Sequence, residues 1–510
     1  MSSGLRARTA SIAQVGLTAH DVTVDVAISA GLPGFHVIGS SGAAAREGAE
    51  RVRSALAATQ LAVAGRKVLV SLAPADLPKQ GARFDLATAV AVSVACGALA
   101  PAAVDGVVLL GELALDGTVR PVPGVLPSAR HAHAHARGVR LVVPSGNAAE
   151  ASLVRGLDVL AVGDLTETLA VLSGERTAAP APHTPPSVPT AAAADGPVGD
   201  LAEVRGQGEA RRALELAAAG GHHLLLLGPP GCGKTMLAER LVGLLPPLGD
   251  AEALELAAVR SVAGYPHGPT LARTPPLRAP HHSTPQAALL GGGSGVALPG
   301  EVSLACHGVL FLDELLEWPR RILDGLREPL EQGVVRLARS RAHVTYPARV
   351  QLVGAANPCP CGAAPACRCT DADVDRYRSR LSGPLADRID LAPVLTRLTG
   401  TDLLGAAAGE PTRMVAARVA DARAAAAARF GPGVANVDAP AAAVRGSAGR
   451  RALVDLAAAV EAGLLTARGY DRALRVARTC ADLDGAERIG PEHAAEALGH
   501  RLALPSALAA

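Results

Sequence analysis

The chain has 510 residues, of which 49% are hydrophobic and 19% are charged, and this composition excludes an intrinsically disordered chain or a nucleic-acid-binding tail. The length predicts about three domains. Lys and Arg number 49 against 47 Asp and Glu, a formal net charge of +2, so any DNA contact must use a local basic surface. Aromatic residues make up only 2%, which argues against base stacking on aromatic side chains.

Residues 1–172 are predicted to form one α/β domain. Segments 22–29 and 66–74 have the composition of strands, and residues 44–59 have the periodicity of a helix. The uncharged run 86–104 is long enough to be considered as a membrane span, but its small residues and proline favour a buried helix followed by a turn. No signal peptide is recognised, and the eight cysteines are not spaced as a disulfide framework, so we expect a reducing, cytoplasmic location.

Residues 173–199 are rich in proline, alanine and threonine, and they are predicted to form an extended linker. Residues 200–395 have the pattern of a second α/β unit. Residues 396–510 are predicted to be helical, with clear helical spacing at 450–462 and 471–483.

The strongest motif is a glycine-rich loop between an apolar strand and a helix, which fits G-x-x-x-x-G-K-[ST]. Glycines let backbone N–H groups turn towards a phosphate, the lysine neutralises β- and γ-phosphate oxygens, and the threonine hydroxyl binds Mg²⁺. The predicted nucleotide-binding residues are Gly228, Pro229, Pro230, Gly231, Cys232, Gly233, Lys234 and Thr235.

Two further apolar strands end in polar side chains. The first ends in Asp313 and Glu314, where Asp313 is predicted to hold Mg²⁺ with Thr235 and Glu314 to activate water as a general base. The second ends in Asn357, which could hydrogen-bond the water or the γ-phosphate, or could form the turn before Pro358. The order and spacing of the motifs favour the functional role.

Arginines follow these strands. Arg388 lies between two acidic residues after a Gly-Pro turn, where an arginine of a ring ATPase reaches the γ-phosphate of a neighbouring subunit; a solvated arginine is the alternative. Arg468 lies at the start of a basic helix and could contact ATP phosphates. Arg472, Arg475 and Arg478 are alternatives for that role, as is a plain exposed basic face.

Five segments of the central region resemble the magnesium-chelatase-like AAA+ ATPases of bacteria, in particular the YifB/ComM family: GHHLLLLGPPGCGKTM, RAPHHSTPQAALLGGG, LPGEVSLACHGVLFLDEL, GAANPCPCG and SGPLADRIDL. The resemblance covers nearly the whole chain. It implies an α/β fold with a domain like that of Lon protease, an AAA+ core of the helix-2-insert group and a C-terminal helical lid, assembled as a homo-hexamer. It also implies an ATP-driven DNA helicase that promotes branch migration in natural transformation, with single-stranded or branched DNA and recombination proteins as partners.

The resemblance also implies roles for single residues. The phosphate-loop lysine, the Mg²⁺ acid, the water-activating acid, sensor 1, the arginine finger and sensor 2 correspond to Lys234, Asp313, Glu314, Asn357, Arg388 and Arg468.

Two insertions could contact DNA. One carries Arg278, His281 and His282 beside a glycine-rich tip. The other, residues 331–352, is predicted to be a hairpin with its basic residues on or near its turn: Arg336, Arg339 and Arg341. A basic hairpin suits a DNA backbone, but a solvated basic turn explains the pattern equally well.

A Lon-like domain raises the alternative of a peptidase, which needs a serine nucleophile and a lysine base. The nucleophile position of the Lon pattern falls on Arg83 and the lysine position falls near Arg130, and arginine does not deprotonate to act as a base. Ser71 and Ser128 have no lysine in the expected relation. We therefore interpret the domain as a scaffold for ring assembly or partner binding.

Four cysteines form two C-x-C pairs in one short loop: Cys359, Cys361, Cys367 and Cys369. Four thiolates can close a tetrahedral Zn²⁺ site, although C-x-C is tighter than the usual C-x₂₋₄-C spacing and free thiols are the alternative. The clustering favours a structural zinc ion that fixes the loop after Asn357.

The leading interpretation is an ATP- and Mg²⁺-dependent hexameric DNA motor. A magnesium-chelatase-type remodelling subunit is the first alternative, because the ATPase motifs alone do not distinguish the two. An ATP-dependent protease is the second alternative, and the missing Ser/Lys pair argues against it.

Overall fold

The computed structural model describes most of the chain, and residues 181–198 of the predicted linker lie outside the described set. The described residues are 5–39, 42–61, 63, 65–79, 81–135, 138–180, 199–265, 268–293, 295–339, 342–362, 367–397 and 409–509.

The first part of the chain is a mixed sheet covered by helices. Its strands are β1 (Leu5–Val15), β2 (Thr18–Ser29), β3 (Gly34–Ile38), β4 (Lys67–Ala73), β5 (Val107–Leu109), β6 (Glu112–Leu113), β7 (Val119–Arg120), β8 (Arg140–Pro144), β9 (Asp158–Val162) and β10 (Ala179–Pro180). Its helices are α1 (Gly42–Ala58), α2 (Asp85–Ala95), α3 (Val125–His135), α4 (Ala148–Ala151) and α5 (Leu165–Ser173). The order of the main sheet is β10-β9-β8-β5-β1-β2-β4-β3, so residues 179–180 of the predicted linker pair with this sheet.

The uncharged run 86–104 begins within helix α2. All eleven residues of α2 are buried, and its apolar side chains join those of β2 and β4 in one core. A turn and a short 3-10 helix at Pro101–Val104 follow. The predicted buried helix and turn are confirmed. Among the described residues, no helix is both long and apolar enough to cross a bilayer.

The central part is built on a parallel sheet. Its strands are β11 (Leu224–Leu227), β12 (Leu277–Arg278), β13 (Gly291–Gly292), β14 (Leu298–Pro299), β15 (Val309–Leu312), β16 (Val334–Arg339), β17 (Ala342–Pro347) and β18 (Gln351–Ala356). Its helices are α6 (Gly208–Gly220), α7 (Lys234–Leu241), α8 (Asp250–Val262), α9 (Gln286–Leu290), α10 (Glu301–Leu304), α11 (Arg320–Gly325), α12 (Arg327–Gln332), α13 (Asp371–Arg378) and α14 (Gly383–Ala386).

The order β11-β18-β15-β12 brings together strands that are far apart in sequence. Parallel bridges at residues 391 and 394 continue the sheet beyond β11. Strands β11, β15 and β18 are buried along their whole length, because helices cover both faces of such a sheet. Their carboxyl ends lie at one edge, which we call the carboxyl edge, and their amino ends lie at the opposite edge.

Two hairpins interrupt this core. The hairpin β13–β14 separates α9 from α10, so that a helical segment between β12 and β15 is split by an insertion. The hairpin β16–β17 packs Val344 and Tyr346 beside Val15 and Leu17 at the β1–β2 turn. The first part of the chain therefore contacts the second hairpin directly.

The first part of the chain also packs on the central part, through helices α3 and α8. Leu126 of α3 packs beside Ala257 and Ala258 of α8. The buried carboxylate of Glu150 accepts hydrogen bonds from the Leu126 backbone N–H, at 2.9 Å, and from the Ser261 hydroxyl of α8. A buried carboxylate is tolerated here because its lone pairs are satisfied.

The C-terminal part is helical: α15 (Thr412–Phe430), α16 (Ala441–Gly446), α17 (Arg450–Glu461), α18 (Ala467–Leu483) and α19 (Pro491–Ala509). The predicted helices 450–462 and 471–483 are α17 and α18. Val419 of α15 and Leu474 of α18 share one apolar core with Leu214 of α6 and Leu226 of β11. The helical region therefore packs directly on the central sheet.

Candidate nucleotide site

The glycine-rich loop runs from the carboxyl end of β11 into α7. Gly231 and Gly233 have φ angles of 78° and 93°, in the left-handed region that favours glycine. Lys234 is the first residue of α7. The loop therefore has the strand–turn–helix form in which backbone N–H groups and a helix N-terminus face a phosphate group.

Lys234 joins this loop to the neighbouring strand. Its ammonium group donates hydrogen bonds to the Gly228 carbonyl at 2.7 Å, the Pro229 carbonyl at 3.0 Å and Asn357 Oδ1 at 2.9 Å. Burial lowers the pKa of this amine, while nearby Cys232, Asp313 and Glu314 act in the opposite direction. The structure thus brings the predicted phosphate-loop lysine and sensor 1 together, because β11 and β18 are neighbours in the sheet.

Asp313 follows β15 and faces the same loop. The Thr235 hydroxyl donates a hydrogen bond to Asp313 Oδ2 at 3.0 Å. The indole N–H of the buried Trp318 donates to the Asp313 carbonyl at 3.1 Å, which fixes the turn after β15. A hydroxyl and a carboxylate at this spacing offer the oxygen ligands that Mg²⁺ prefers, so the residues present fit this ion.

Glu314 has a neighbour that sequence reasoning did not assign to it. His282 Nδ1 lies 3.0 Å from Glu314 Oε2, and Glu314 itself has a left-handed φ of 48°. His282 follows β12, which flanks β15 on the side away from β18. The signal in the sequence is the pair of histidines after a short apolar segment, which are candidate DNA contacts on sequence grounds.

Arg388 and Arg468 lie elsewhere in the fold. Arg388 precedes the segment that pairs with β11, so it lies at the amino edge of the sheet. Both arginines form ion pairs with Glu331, Arg468 at 3.6 Å. The four-residue strand β11 separates this edge from the phosphate loop by about 13 Å.

These arginines line a cavity of about 1010 Å³ at the amino edge. Its other arginines are Arg349, Arg423, Arg472 and Arg475, and its acidic residues are Glu252, Glu331, Asp438 and Asp471. With six arginines against four carboxylates, the cavity carries an excess of positive charge, as an anion-binding surface requires.

The alternative arginines of α18 have structural partners. Arg472 forms an ion pair with Asp390 at 2.7 Å. Burial opposes ionisation of Asp390, but Arg472 and two histidines outweigh it and hold the pKa of this carboxyl well below its ordinary value. Arg475 donates to the Ala439 carbonyl at 2.9 Å. Arg478 is fully buried and pairs with Asp482 at 3.0 Å, so a direct role at a nucleotide phosphate does not fit its position.

The predicted basic hairpin is present as β16–β17, but Arg336 and Arg339, the two predicted DNA-binding arginines that the structure describes, do not lie in one row. Arg336 pairs with Thr345, three ladder positions away from the Arg339–Ala342 pair at the turn, and this corrects its predicted place near the turn. Side chains alternate along a strand, so Arg336 and Arg339 point to opposite faces. Arg336 also forms an ion pair with Glu328 at 2.9 Å. Arg341 lies outside the described residues.

The positions considered for a peptidase form no catalytic pair. Arg83 is buried, which lowers its pKa to about 10, and its guanidinium donates to the Pro123 carbonyl at 3.1 Å and the Ser128 hydroxyl at 3.3 Å. The Lys79 ammonium donates to nearby backbone carbonyls, at 3.3 Å for Leu77. Lys67 lies four residues before Ser71 on β4, a separation of about 13 Å.

The predicted zinc ligands lie directly after Asn357, at the carboxyl edge. Cys359 is buried, Cys369 is partly buried, and Cys361 and Cys367 are exposed. Their sulfur atoms lie within 4.8 Å of one another.

Comparison with known proteins gives the family. The model of magnesium chelatase subunit ChlI matches residues 200–403, a second ChlI model matches residues 24–147, and the ChlI C-terminal model matches residues 409–501. An uncharacterized protein of Mycobacterium tuberculosis (strain H37Rv) is 46% identical over 504 residues, which cover 97% of this chain and 98% of the relative.

Two named relatives match over a similar length. The uncharacterized protein YifB of Escherichia coli K12 is 41% identical over 493 residues, and competence protein ComM of Haemophilus influenzae is 39% identical over 494 residues. Each match covers 96% of both chains. Together with the geometry of the phosphate loop and its partner strands, these matches show that the chain belongs to the magnesium chelatase ChlI family of AAA+ ATPases, with YifB and ComM as relatives over nearly its full length.

Proposed function

We propose that this protein hydrolyses ATP as a ring-shaped motor that acts on branched or single-stranded DNA. The observation that carries the proposal is the convergence of three strand ends at the carboxyl edge. There Lys234 contacts Asn357, Thr235 contacts Asp313, and Glu314 follows directly. Residues of these types in this arrangement suit phosphoryl transfer to water.

Each side chain has a distinct task in this proposal. Lys234 binds the β- and γ-phosphate oxygens, and Asn357 orients the lysine or the attacking water. Thr235 and Asp313 hold Mg²⁺, which supplies positive charge to the phosphate oxygens when bound. Glu314 accepts a proton from the attacking water as general base. The loop residues Gly228 to Gly233 enclose the phosphates with backbone N–H groups.

The arginine finger and sensor 2 are proposed to act between subunits. Arg388 and Arg468 lie at the amino edge, about 13 Å from the phosphate loop of their own chain. A neighbouring copy in a homo-hexamer would bring its nucleotide to this edge. The two guanidinium groups would then leave Glu331 and bind the γ-phosphate of the neighbouring subunit's nucleotide. Planar guanidinium donors stabilise the negative charge of the transition state there.

DNA is proposed as the substrate of the motor, in the cytoplasm and with recombination proteins as partners. The name of the Haemophilus influenzae relative, competence protein ComM, supports this direction, and so do the exposed side chains of Arg336 and Arg339 on the β16–β17 hairpin. Basic side chains on a hairpin can follow a phosphate backbone without reading its sequence. Branch migration of recombination intermediates is the reaction that we infer.

The test compares wild type with Glu314→Gln on a three-stranded branched DNA over a salt series. Wild type is expected to hydrolyse ATP and displace a strand, less so as salt rises. Glu314→Gln is expected to bind ATP and assemble without turnover, because glutamine is not a base at neutral pH. ATP hydrolysis that is indifferent to every branched or single-stranded DNA would refute the DNA part of the proposal.

A chelatase-type remodelling role is the second candidate, because the three matching family models are those of magnesium chelatase subunits. In that role the ring would act on a partner protein in metal insertion into a porphyrin. Porphyrin-dependent stimulation of ATP hydrolysis, in the absence of DNA stimulation, would favour it.

The first domain is proposed to be a scaffold. Its contact with the β16–β17 hairpin through Leu17 attaches it to the central part of the chain, and we propose ring assembly or partner binding as its role. Its resemblance to the Lon domain carries no peptidase proposal, because Ser128 has the Arg83 guanidinium as its neighbour.

A further inference from the structure

The four cysteines after Asn357 have the geometry of a closed single-ion site. Cys359 Sγ lies 3.5 Å from both Cys361 Sγ and Cys367 Sγ, and the latter two are 3.6 Å apart. With Cys369 included, all four sulfur atoms lie within 4.8 Å of one another. A tetrahedral ion with Zn–S bonds of about 2.3 Å places its ligands about 3.8 Å apart. The loop therefore already holds the sulfur atoms near the positions that one zinc ion needs.

We infer that these cysteines bind one structural Zn²⁺ ion and that this zinc centre holds residues 358–362 against the phosphate loop. Thiolates select zinc or another soft ion, and four protein ligands leave no open position for catalysis. Each thiol that binds releases one proton to solvent. An iron–sulfur cluster uses the same ligands, but its two irons would hold the cysteine pairs farther apart than a single ion does.

The contact with the phosphate loop is made at Gly362, between the two C-x-C pairs. Gly362 has a left-handed φ of 63°, and its backbone N–H donates to the Cys359 carbonyl at 3.1 Å. A Cβ atom added at this position would lie 2.8 Å from Pro230 Cγ and 3.7 Å from Asn357 Nδ2. Only glycine lets the cysteine loop approach the phosphate loop and sensor 1 this closely.

The far side of the loop is anchored by helix α13. Thr370, next to Cys369, caps this helix by accepting a hydrogen bond from the Asp373 N–H at 3.2 Å. The zinc centre thus links β18 and Asn357 on one side to α13 on the other. Without the ion, the segment that supports Pro230 and Asn357 would lose the link between its two C-x-C pairs. The consequence for ATP binding rests on the proposed function, whereas the metal site does not.

The metal site is tested on the full chain by elemental analysis after purification with zinc. Wild type is expected to hold about one zinc per chain. Cys361→Ser and Cys367→Ser are expected to lose it, and Cys96→Ser is the matched control, an exposed cysteine outside the cluster that leaves zinc content unchanged. Cobalt substitution should give intense thiolate charge-transfer bands. Wild-type protein that holds neither zinc nor cobalt would overturn the metal site. Bound iron with visible absorbance would overturn the zinc assignment and indicate an iron–sulfur cluster.

The support of the nucleotide site is tested by titration with a fluorescent ATP analogue, with circular dichroism to verify folding. Cys367→Ser is expected to bind the analogue about tenfold more weakly, the loss that follows when one hydrogen bond to a charged group is weakened. Gly362→Ala is expected to keep its zinc and to show a similar loss. Full affinity in both folded variants would overturn the link. Failure of zinc-loaded wild type to bind ATP would instead refute the proposed function and leave the metal site standing.

Discussion

Replacing His282 by alanine is expected to raise basal ATP turnover rather than abolish it. His282 Nδ1 holds Glu314 Oε2 at 3.0 Å, and β12 lies on the side of β15 away from the phosphate loop. The contact therefore draws the proposed general base away from the nucleotide. Without the imidazole, Glu314 should spend more time in the position that activates water.

The size of the effect follows from the exposure of the pair. The two side chains are 33% and 54% exposed, and their contact contributes at most the energy of an exposed ion pair, about 0.2–1 kcal/mol. This energy corresponds to a change of about 1.4- to 5-fold in the population of molecules in which His282 does not hold Glu314. We expect kcat to rise by that factor while KM for ATP is unchanged, because Lys234 and Thr235 are untouched.

The assay is steady-state phosphate release at several ATP concentrations without DNA. His281→Ala is the matched control, because the His281 imidazole bonds to the Ser283 hydroxyl at 2.8 Å rather than to Glu314. His282→Ala combined with Glu314→Gln must be inactive. A fall in kcat of about tenfold or more in His282→Ala would refute the reasoning, because it would mean that the imidazole positions Glu314 for catalysis.

Three further predictions concern other parts of the molecule. Arg388→Ala and Lys234→Ala should each lose about a thousandfold or more in ATP hydrolysis. Complexes assembled from a mixture of Arg388→Ala chains and Lys234→Ala chains should recover part of the ATP hydrolysis. No recovery would argue against an arginine that acts between subunits. Burial acts to lower the pKa of His307, but Cys306 and Glu255 outweigh it and raise the pKa to about 10. An unfolded histidine has a pKa of about 6.5. The stability that protonated His307 contributes to the folded state is therefore fully present below about pH 6.5 and is lost as pH rises towards about 10. The Tm should therefore fall over that range in wild type and less steeply in His307→Gln; equal slopes would contradict the assignment. Arg339→Ala should reduce the salt dependence of DNA binding by about one phosphate contact. Arg336→Ala should reduce it by less, because Arg336 already pairs with Glu328. A larger reduction in Arg336→Ala than in Arg339→Ala would contradict the prediction.

The predicted strands and helices of the first and last parts were recognisable because each element carries its own periodicity. The run 86–104 shows the limit of that signal. Its apolar length alone fits several structures, and only the packing of α2 among α1, β1 and β2 explains why this helix is buried on every side. The basic hairpin was also predictable, but the pairing register decided that Arg336 and Arg339 occupy opposite faces.

What the sequence by itself determined is chemistry held in short segments. The phosphate loop needs glycines, a lysine and a threonine within eight residues, and the apolar strands before Asp313 and Asn357 carry their own pattern. The C-x-C pairs likewise name the candidate ligands. These signals are local because the backbone of one short segment sets the geometry of each motif.

Only the tertiary structure decided how separate segments meet. The strand order β11-β18-β15-β12 brings Lys234 to Asn357 and His282 to Glu314, although 32 residues separate the last two. The direction of the parallel strands places Arg388 at the edge away from its own phosphate loop. The left-handed Gly362 sets the cysteine loop on Pro230. Such contacts depend on packing between distant parts of the chain, and no spacing within a single segment encodes them.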